Sequence, residues 1–178
     1  TINVDDKSPH ISKTLPQNNK FTNGSNFYIK YTEDNVKEIT LSYNPNITNT
    51  TCPSGKNKEC YFDIDVSQFD TQTISYTFTI TDIAGNTDSK TINKIEVDTT
   101  PPLINNPNNF YHLDERYIYF HLNITEQNFD EATYFYIDSR GKTRSSRLCS
   151  RLNNGMCSKK VSLRGKTFRK ILVLDKVN

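Results

Sequence analysis

Residues 76–104, YTFTITDIAGNTDSKTINKIEVDTTPPLI, carry the strongest structural signal in the chain. Apolar and hydroxyl side chains alternate strictly from Tyr76 to Thr81, a period of two that predicts a half-buried β-strand. Asp82–Asn86 then has the composition of a turn, and Thr91–Val97 predicts the strand that returns. Pro101-Pro102 removes two backbone donors, so this second strand cannot continue through it. The stretch therefore predicts the last hairpin of one β-domain, followed by a stiff linker.

Two segments of this stretch match a known pattern. Ile80–Asn86 reads ITDIAGN and Val97–Ile104 reads VDTTPPLI, 15 residues in all. The pair resembles the junctions between the tandem immunoglobulin-like repeats of bacterial and archaeal cell-surface proteins, such as S-layer proteins, adhesins and filaments. It departs from the usual pattern at Ile80, where Val is more common. The resemblance implies an all-β fold with two tandem immunoglobulin-like β-sandwich domains, joined by a Pro-rich linker at Asp98, Pro101 and Pro102.

The composition favours β-structure with thin hydrophobic cores. Hydrophobic residues make up 34% of the 178 residues, which is low for a globular protein, while Tyr and Phe occur ten times each. This length leaves room for one or two domains. The longest aliphatic run, Ile171–Leu174, is far too short to span a bilayer. Thr1–Pro9 has neither the basic nor the apolar region of a signal peptide, so none is expected there.

The chain contains two copies of one sequence unit. Thr1–Ile11 aligns with Lys94–Ile104 at an offset of 93 residues, and Phe78–Asp82 aligns with Ile171–Asp175 at the same offset. The cysteines align at an offset of 97, a difference that changes in loop length produce. These matches predict a first unit over residues 5–98 and a second over residues 99–178. Residues 1–4 are expected to be the last strand of a preceding copy or a donor-type strand.

Short alternating segments separated by turn residues predict the strands of small β-sandwiches in both units. The second unit has no counterpart of Thr91–Val97. Its missing last strand is expected either downstream in a longer chain or in another copy. Another copy could supply this strand because Thr1–Val4 has the matching sequence. The predicted strands are Asn26–Thr32, Val36–Tyr43, Glu59–Val66, Ile74–Thr81, Thr91–Val97, Arg116–Ile124, Ala132–Asp138, Cys157–Leu163 and Phe168–Leu174.

The four cysteines form two pairs with the same spacing. Seven residues of turn-forming composition separate Cys52 from Cys60 and Cys149 from Cys157. This spacing favours one disulfide in each unit, closing a β-hairpin. Zinc is the rival interpretation, but neither pair is accompanied by a CxxC motif or paired histidines. A disulfide implies an oxidising, extracytoplasmic location.

The chain has four N-x-S/T sequons, at Asn23, Asn46, Asn49 and Asn123. A composition this rich in Asn, Ser and Thr produces such sequons by chance, so their presence does not establish glycosylation. Asn46 and Asn49 lie in the turn-like stretch NPNITNTT and are the best candidate acceptors.

Charge is divided unequally between the two units. Residues 1–98 hold 9 Lys/Arg and 13 Asp/Glu, a net charge of −4, whereas residues 99–178 hold 13 and 7, a net charge of +6. Arg140–Lys170 contains 11 basic residues and no acidic one. A nucleic-acid site is one interpretation of this charge, but a solvated basic face is the favoured one. If the face does bind a partner, an acidic glycan or a neighbouring acidic repeat is expected.

Metal-binding and catalytic signals are weak. The histidines, His10, His112 and His121, are isolated in sequence, and His10 and His112 fall in predicted linkers or loops. There is no HExxH motif, phosphate-binding loop or serine-hydrolase pattern, so neither an enzyme nor a cofactor is expected. Four aspartates could bind calcium near the repeat junction, but ordinary turn and capping roles are the favoured interpretation for them. These aspartates are Asp5, Asp6, Asp82 and Asp98.

These observations predict a structural, extracellular cell-surface protein. The chain is interpreted as a repeat segment of an S-layer, filament or stalk, whose partners are neighbouring repeats or copies, arranged head to tail. The alternative is an adhesin module that binds a ligand or glycan through exposed tyrosines and the basic second unit. In a third hypothesis, the chain is an accessory region of a secreted enzyme whose active site lies elsewhere. Nucleic acid is not an expected partner, and membrane attachment would require an anchor outside this sequence.

Overall fold

The computed structural model describes residues 6–177 and is all-β. The chain divides into two compact units, Thr1–Thr99 and Thr100–Asn178. Residues 1–5 and 178 lie outside the described part, and so does the strand expected at residues 1–4.

The first unit contains two sheets. One has three strands in the order β1-β3-β6, and the other has five in the order β2-β8-β7-β4-β5. Neighbouring strands are antiparallel except β2 and β8, which are parallel. Ser67–Phe69 forms a short 3₁₀ turn. The strands are β1 His10–Leu15, β2 Lys20–Thr22, β3 Phe27–Glu33, β4 Val36–Ser42, β5 Ile47–Asn49, β6 Gly55–Phe62, β7 Thr73–Asp82 and β8 Thr87–Val97.

Side chains from both sheets share one hydrophobic core in this unit. Because side chains on a strand alternate between its two faces, Phe27, Ile29 and Tyr31 all point inward from β3. The buried tyrosine hydroxyls have backbone partners: Tyr31 donates to the Pro53 carbonyl and Tyr76 to the Pro16 carbonyl, each at 2.6 Å. Burial raises the pKa of both tyrosines to about 12.

The second unit also has two sheets, but they are smaller. One has the order β10-β11-β14, with β9 pairing with the end of β11; the other has three strands in the order β13-β12-β15. Its core includes Ile118, Phe120 and Leu122 from β11, and Tyr134 from β12. The strands are β9 Leu103–Ile104, β10 Tyr111–Asp114, β11 Tyr117–Thr125, β12 Phe129–Asp138, β13 Thr143–Cys149, β14 Met156–Ser162 and β15 Lys166–Asp175.

Each predicted strand overlaps an observed one, but the bounds of β6 were wrong. The prediction placed this strand at Glu59–Val66, whereas it runs from Gly55 to Phe62. Part of the turn expected between Cys52 and Cys60 is therefore strand, because the ladder with β3 extends to the Glu33–Gly55 pair. β1, β2, β5, β9, β10 and β13 were not predicted. Within residues 6–177 the second unit has no counterpart of β8.

Candidate functional site

In the first unit, β7 is enclosed on both edges. It pairs with β4 on one side and with β8 on the other. Phe78 and Ile80 of β7 are fully buried. β8 contributes three further buried side chains to the same core: Ile92, Ile95 and Val97.

β15 is the sequence counterpart of β7 but lacks one of its neighbours. Among the residues that the structure describes, β15 pairs with β12 alone. Ile171 and Val173, which align with the fully buried Phe78 and Ile80, are only half-buried, and Leu172 is 41% exposed. The backbone edge of Lys166–Leu174 opposite β12 is named here the open edge.

The open edge has two parts of different character. The first part, Lys166–Lys170, carries three basic side chains and a bulge at Arg169 in its pairing with β12. Charges and bulges protect exposed edges against unwanted pairing. Ile171–Leu174 has neither device, and alternate residues of a strand direct their N–H and C=O groups towards its edge. The open edge therefore has the geometry for pairing with an added strand.

A second candidate site lies on the exposed face of the β10-β11-β14 sheet. The His112 ring stacks on Tyr119, with centroids 4.7 Å apart and planes 1° apart, and the His121 ring lies 5.6 Å from His112. The Lys160 ammonium lies 3.8 Å from the Tyr117 ring centroid and 5.1 Å from that of Tyr119. These five residues are named here the aromatic face.

Cross-strand register brings the aromatic face together. His112 of β10 and Lys160 of β14 both pair with Tyr119 of β11, from opposite sides. A hydrogen bond with Tyr119 raises the pKa of Lys160, and nearby Tyr117 and Asp114 act in the same direction. The face is thus cationic and aromatic at neutral pH.

The prediction that the histidines are isolated and that His112 lies in a loop was wrong. His112 is in β10, beside His121 of the adjacent strand, because the hairpin formed by β10 and β11 folds them onto one face. His10, likewise expected in a linker, is the first residue of β1. Sequence alone could not place the two histidines together, since their approach depends on the register of the hairpin.

The structure joins Cys52 to Cys60 and Cys149 to Cys157, the pairing that the spacing favoured. Between Cys149 and Cys157 the expected tight turn is present, because the backbone groups of Asn153 and Met156 bond to each other in both directions at 2.9 Å. The strands on either side of that turn do not pair as the expected hairpin, and among the described residues no hairpin encloses the Cys52–Cys60 bond. β13 and β14 belong to different sheets, so the Cys149–Cys157 bond crosses between the sheets of the second unit. Cys52 lies in the connection from β5 to β6, which likewise changes sheets. Sulfurs joined in this way are not the free thiolates that a zinc site requires.

The four sequon asparagines differ in their surroundings. Asn23, Asn46 and Asn123 are exposed, whereas Asn49 is half-buried. The Asn49 side-chain amide lies 3.6 Å from the Cys60 sulfur, and its carbonyl accepts hydrogen bonds from Thr51. Of the two best sequence candidates, Asn46 is therefore the more accessible acceptor.

Several basic residues of Arg140–Lys170 have local partners. Arg144 pairs with Asp138 at 3.1 Å, and Arg147 pairs with Glu131 at 2.6 Å. Lys166 and Lys170 lie over aromatic rings, as Lys160 does. Because the basic residues are spread over β13, β14, β15 and their connections, the structure spreads this charge over both sheets of the unit.

Asp82 and Asp98 cannot bind one calcium ion together. They lie at opposite ends of the β7-β8 hairpin, roughly 30 Å apart for a ten-residue strand. Asp82 instead organises the turn, since both its oxygens accept hydrogen bonds from Asn86 at 2.8 Å. Asp6 is exposed, and Asp5 lies outside the described residues.

The predicted linker residues Asp98, Pro101 and Pro102 lie outside the strands. The backbone N–H of Asp98 donates to the Thr22 carbonyl at 3.0 Å, and that of Thr99 donates to Asp70 at 2.7 Å. These two bonds fix the end of the first unit.

No protein-family model and no curated protein matches the chain. The dimeric latent form of PorU from Porphyromonas gingivalis shows 13% identity and a TM-score of 0.42 over 89% of this chain. A tetra-tandem repeat in the extending region of a large adhesion protein shows 12% identity and a TM-score of 0.30 over 96%. The chain spans 17% and 49% of those two chains.

Residues 6–177 form no helix that is long and apolar enough to cross a membrane.

Proposed function

We propose that this chain is a structural segment of an extracellular surface protein, with two immunoglobulin-like repeats joined through Asp98, Pro101 and Pro102. The repeats would serve as a spacer in an S-layer, surface filament or stalk. The observation that carries this proposal is that each unit has its own hydrophobic core and its own disulfide. A unit with its own hydrophobic core can fold by itself, so such units can be repeated along a chain as a spacer without sharing an active site.

The strand order of the first unit supports the immunoglobulin-like part of the proposal. Immunoglobulin-like sandwiches place strands A, B and E in one sheet and strands C, F and G in the other. In the first unit, β1, β3 and β6 form one sheet, while β4, β7 and β8 lie side by side in the other. β2 follows β1 in the chain but belongs to the other sheet, where it pairs in parallel with the last strand, β8.

The disulfides support the extracellular part of the proposal. Disulfides persist in oxidising compartments and are rare in the reducing cytosol. The Cys149–Cys157 bond joins strands of different sheets, and the Cys52–Cys60 bond joins β6 to the connection that precedes it. Covalent ties of this kind suit small domains with thin cores. A non-catalytic role is part of the same proposal.

Surface labelling of the source cells tests this function. Antibody against the chain should label intact cells, and non-reducing mass spectrometry of the labelled protein should find the Cys52–Cys60 and Cys149–Cys157 bonds. A soluble cytoplasmic protein with four free thiols would contradict the proposal. A cytoplasmic protein of known location serves as the control for cell integrity.

The aromatic face supports a second function, that of a glycan-binding adhesin module. Aromatic rings and a flanking ammonium group suit an anionic sugar. In a glycan-array or titration experiment, Tyr119→Ala should abolish binding. Tyr61→Ala is the matched control, because Tyr61 is a 65% exposed tyrosine on the first unit. Absence of saturable binding by the unsubstituted chain would leave the structural role alone.

A further inference from the structure

A cleft lies beside the aromatic face, where two turns of the second unit meet. Its volume is about 570 Å³, within the range of roughly 300–1,000 Å³ that is usual for sites of small ligands. The backbone N–H of Leu163 donates to the Arg116 carbonyl at 2.9 Å, which holds the β14-β15 turn against the β10-β11 turn. The lining residues are named here the arginine cleft: Glu115, Arg116, Tyr117, Ser162, Leu163 and Arg164.

Arg116 and Arg164 place two guanidinium groups at the arginine cleft. Both side chains are exposed, and neither forms an ion pair within residues 6–177. Arg144 and Arg147, by contrast, are each paired with a carboxylate. A guanidinium has five N–H donors and can bind an oxyanion through two of them at once. Two such groups without a protein partner therefore suit an anionic ligand.

The arginine cleft is continuous with the aromatic face through Tyr117. This residue, which belongs to both, pairs with Ser162 of β14. Because cross-strand partners point to the same side of a sheet, Ser162 lies on that face too. A ligand in the cleft therefore contacts the Tyr117 ring and lies near the Lys160 ammonium, which is 3.8 Å from the centroid of this ring. Lys160 adds a third positive charge beside the two arginines.

Both a hydrogen-bond donor and an acceptor accompany these charges. The Ser162 hydroxyl oxygen accepts a hydrogen bond from the Arg164 N–H at 3.3 Å, so its own O–H can donate to a ligand. The Glu115 carboxylate is exposed and acts only as an acceptor when ionised. Sugar hydroxyls both donate and accept, so they match Ser162 and Glu115 together. An inorganic anion would use the cations alone and would be repelled by Glu115.

We infer that the arginine cleft binds the carboxylate or sulfate group of an acidic saccharide. The anionic group lies between Arg116 and Arg164, and the sugar body lies against Tyr117. The inference deepens the glycan-binding function proposed above and rests on it, because it names the charge of the glycan and the residues that recognise it.

The test measures the binding of tetragalacturonate, a carboxylated tetrasaccharide, and of its neutral methyl ester by isothermal titration calorimetry. The unsubstituted chain with intact disulfides should bind the acid roughly tenfold or more tightly than the ester, which forms no charge-assisted hydrogen bonds. A heparin tetrasaccharide, which also carries sulfate groups, distinguishes the two anions. Tighter binding than that of tetragalacturonate assigns sulfate to the cleft, and equal or weaker binding assigns carboxylate.

Replacing both Arg116 and Arg164 with Gln removes the two guanidinium charges and keeps polar side chains. Binding of the acidic tetrasaccharide that the unsubstituted chain prefers should weaken by roughly tenfold or more. The matched control replaces Arg151 and Arg169 with Gln, because these are exposed arginines of the same unit outside the cleft. It lowers the net charge equally and should leave the affinity nearly unchanged at about 0.15 M salt, which screens distant charges.

Backbone NMR gives an independent readout of where the saccharide binds. The bound tetrasaccharide should shift the amide signals of Arg116, Tyr117 and Ser162. Those of the β7-β8 hairpin in the first unit should stay in place.

Equal weakening by the two double substitutions, or equal affinity for the acid and its ester, would overturn the arginine cleft as an anion site. Saccharide binding that still requires Tyr119 in that case would preserve the proposed glycan-binding function. If the unsubstituted chain binds neither tetrasaccharide nor any sugar of an array, the inference and the glycan-binding function both fail. The structural role would then stand alone.

Discussion

β7 and β15 occupy equivalent positions in the two units, yet they differ in how well they are covered. β7 has a strand on each edge, and its inward side chains Phe78 and Ile80 are fully buried. β15 has a strand on one edge within the described residues, and Ile171 and Val173 remain half-buried. The comparison teaches that an alternating sequence determines which side chains face the core, whereas the neighbouring strand determines how completely they are buried.

The outward faces of the two strands differ in the same way. Thr77 and Thr79 of β7 form hydroxyl contacts with β8, at 2.8 Å to Thr91 and 2.9 Å to Ser89. The corresponding residues of β15 include Lys170 and Leu172, and no β8 is present for them to contact within residues 6–177. Within residues 6–177, β15 therefore lacks both the core coverage and the row of cross-strand pairs that β8 gives to β7.

Replacing an inward isoleucine with alanine should lower the free energy of unfolding more in β7 than in β15. Ile80→Ala removes a fully buried side chain and should lower the free energy of unfolding by about 2–5 kcal/mol. Ile171→Ala removes a half-buried one and should cost about 1–2 kcal/mol, in proportion to the smaller buried area. Urea unfolding with intact disulfides measures both, and equal costs would contradict the difference in coverage.

Removal of either disulfide should have an intermediate effect. Each disulfide joins cysteines eight positions apart, so the loss of chain entropy predicts about 2.5 kcal/mol for both. The double variants Cys52→Ser with Cys60→Ser and Cys149→Ser with Cys157→Ser should therefore be destabilised alike. Thermal unfolding monitored by circular dichroism checks this. A much larger loss for one pair would show that its crossing between sheets contributes more than loop closure.

Acid should weaken both units through the aspartates of their turns. Burial by itself raises the pKa of Asp82, but hydrogen bonds from Asn86, Gly85 and Ala84 outweigh it and lower the pKa. Backbone N–H groups of Lys142 and the Arg144 side chain lower the pKa of Asp138. A carboxyl whose pKa is lowered by folding stabilises the folded chain at pH values above its pKa in the unfolded chain, which is about 4. This stabilisation is lost as the pH falls through the pKa of the folded chain.

Asp82→Asn and Asp138→Asn should each flatten the fall in melting temperature between neutral and strongly acidic pH. Asp34→Asn, a change at an exposed carboxylate, is the control and should leave the pH profile as it is. A profile that none of these substitutions changes would show that other carboxylates determine acid stability.

The smallest effect is expected on the outward face of β7. Thr79→Val removes the exposed hydroxyl pair with Ser89 but keeps the β-branched shape, so stability should change by no more than about 0.5 kcal/mol. Differential scanning calorimetry against the unsubstituted chain measures this. A loss above 1.5 kcal/mol would show that the hydroxyl row, rather than core coverage, separates the two strands.

Strong alternation made the main strands predictable, and its absence hid the others. β3, β7 and β11 carry apolar residues at every second position, so their inward faces follow from the sequence. β13 reads TRSSRLC and has little apolar pattern, because its side chains are mostly exposed. β10 is four residues long, and its turn at Glu115-Arg116 lacks the usual turn residues.

The candidate sites were predictable to different degrees. The pairing of β15 with β12 alone, within the described residues, could be predicted from the repeat, because residues 99–178 contain no counterpart of Thr91–Val97. The aromatic face does not follow, since the contact of His112 with Tyr119 depends on hairpin register. The crossing of the Cys149–Cys157 bond between sheets was also hidden, because a turn within a hairpin and a turn between sheets have similar compositions.

Hydrogen exchange measured residue by residue by NMR tests the central claim most directly. β7 is bonded on both edges, so successive amides from Tyr76 to Thr81 should all be protected. In β15, protection should alternate from Ile171 to Leu174: amides directed towards β12 should exchange slowly, and those directed towards the open edge should exchange rapidly. Uniform protection of both strands would contradict an open edge in the second unit.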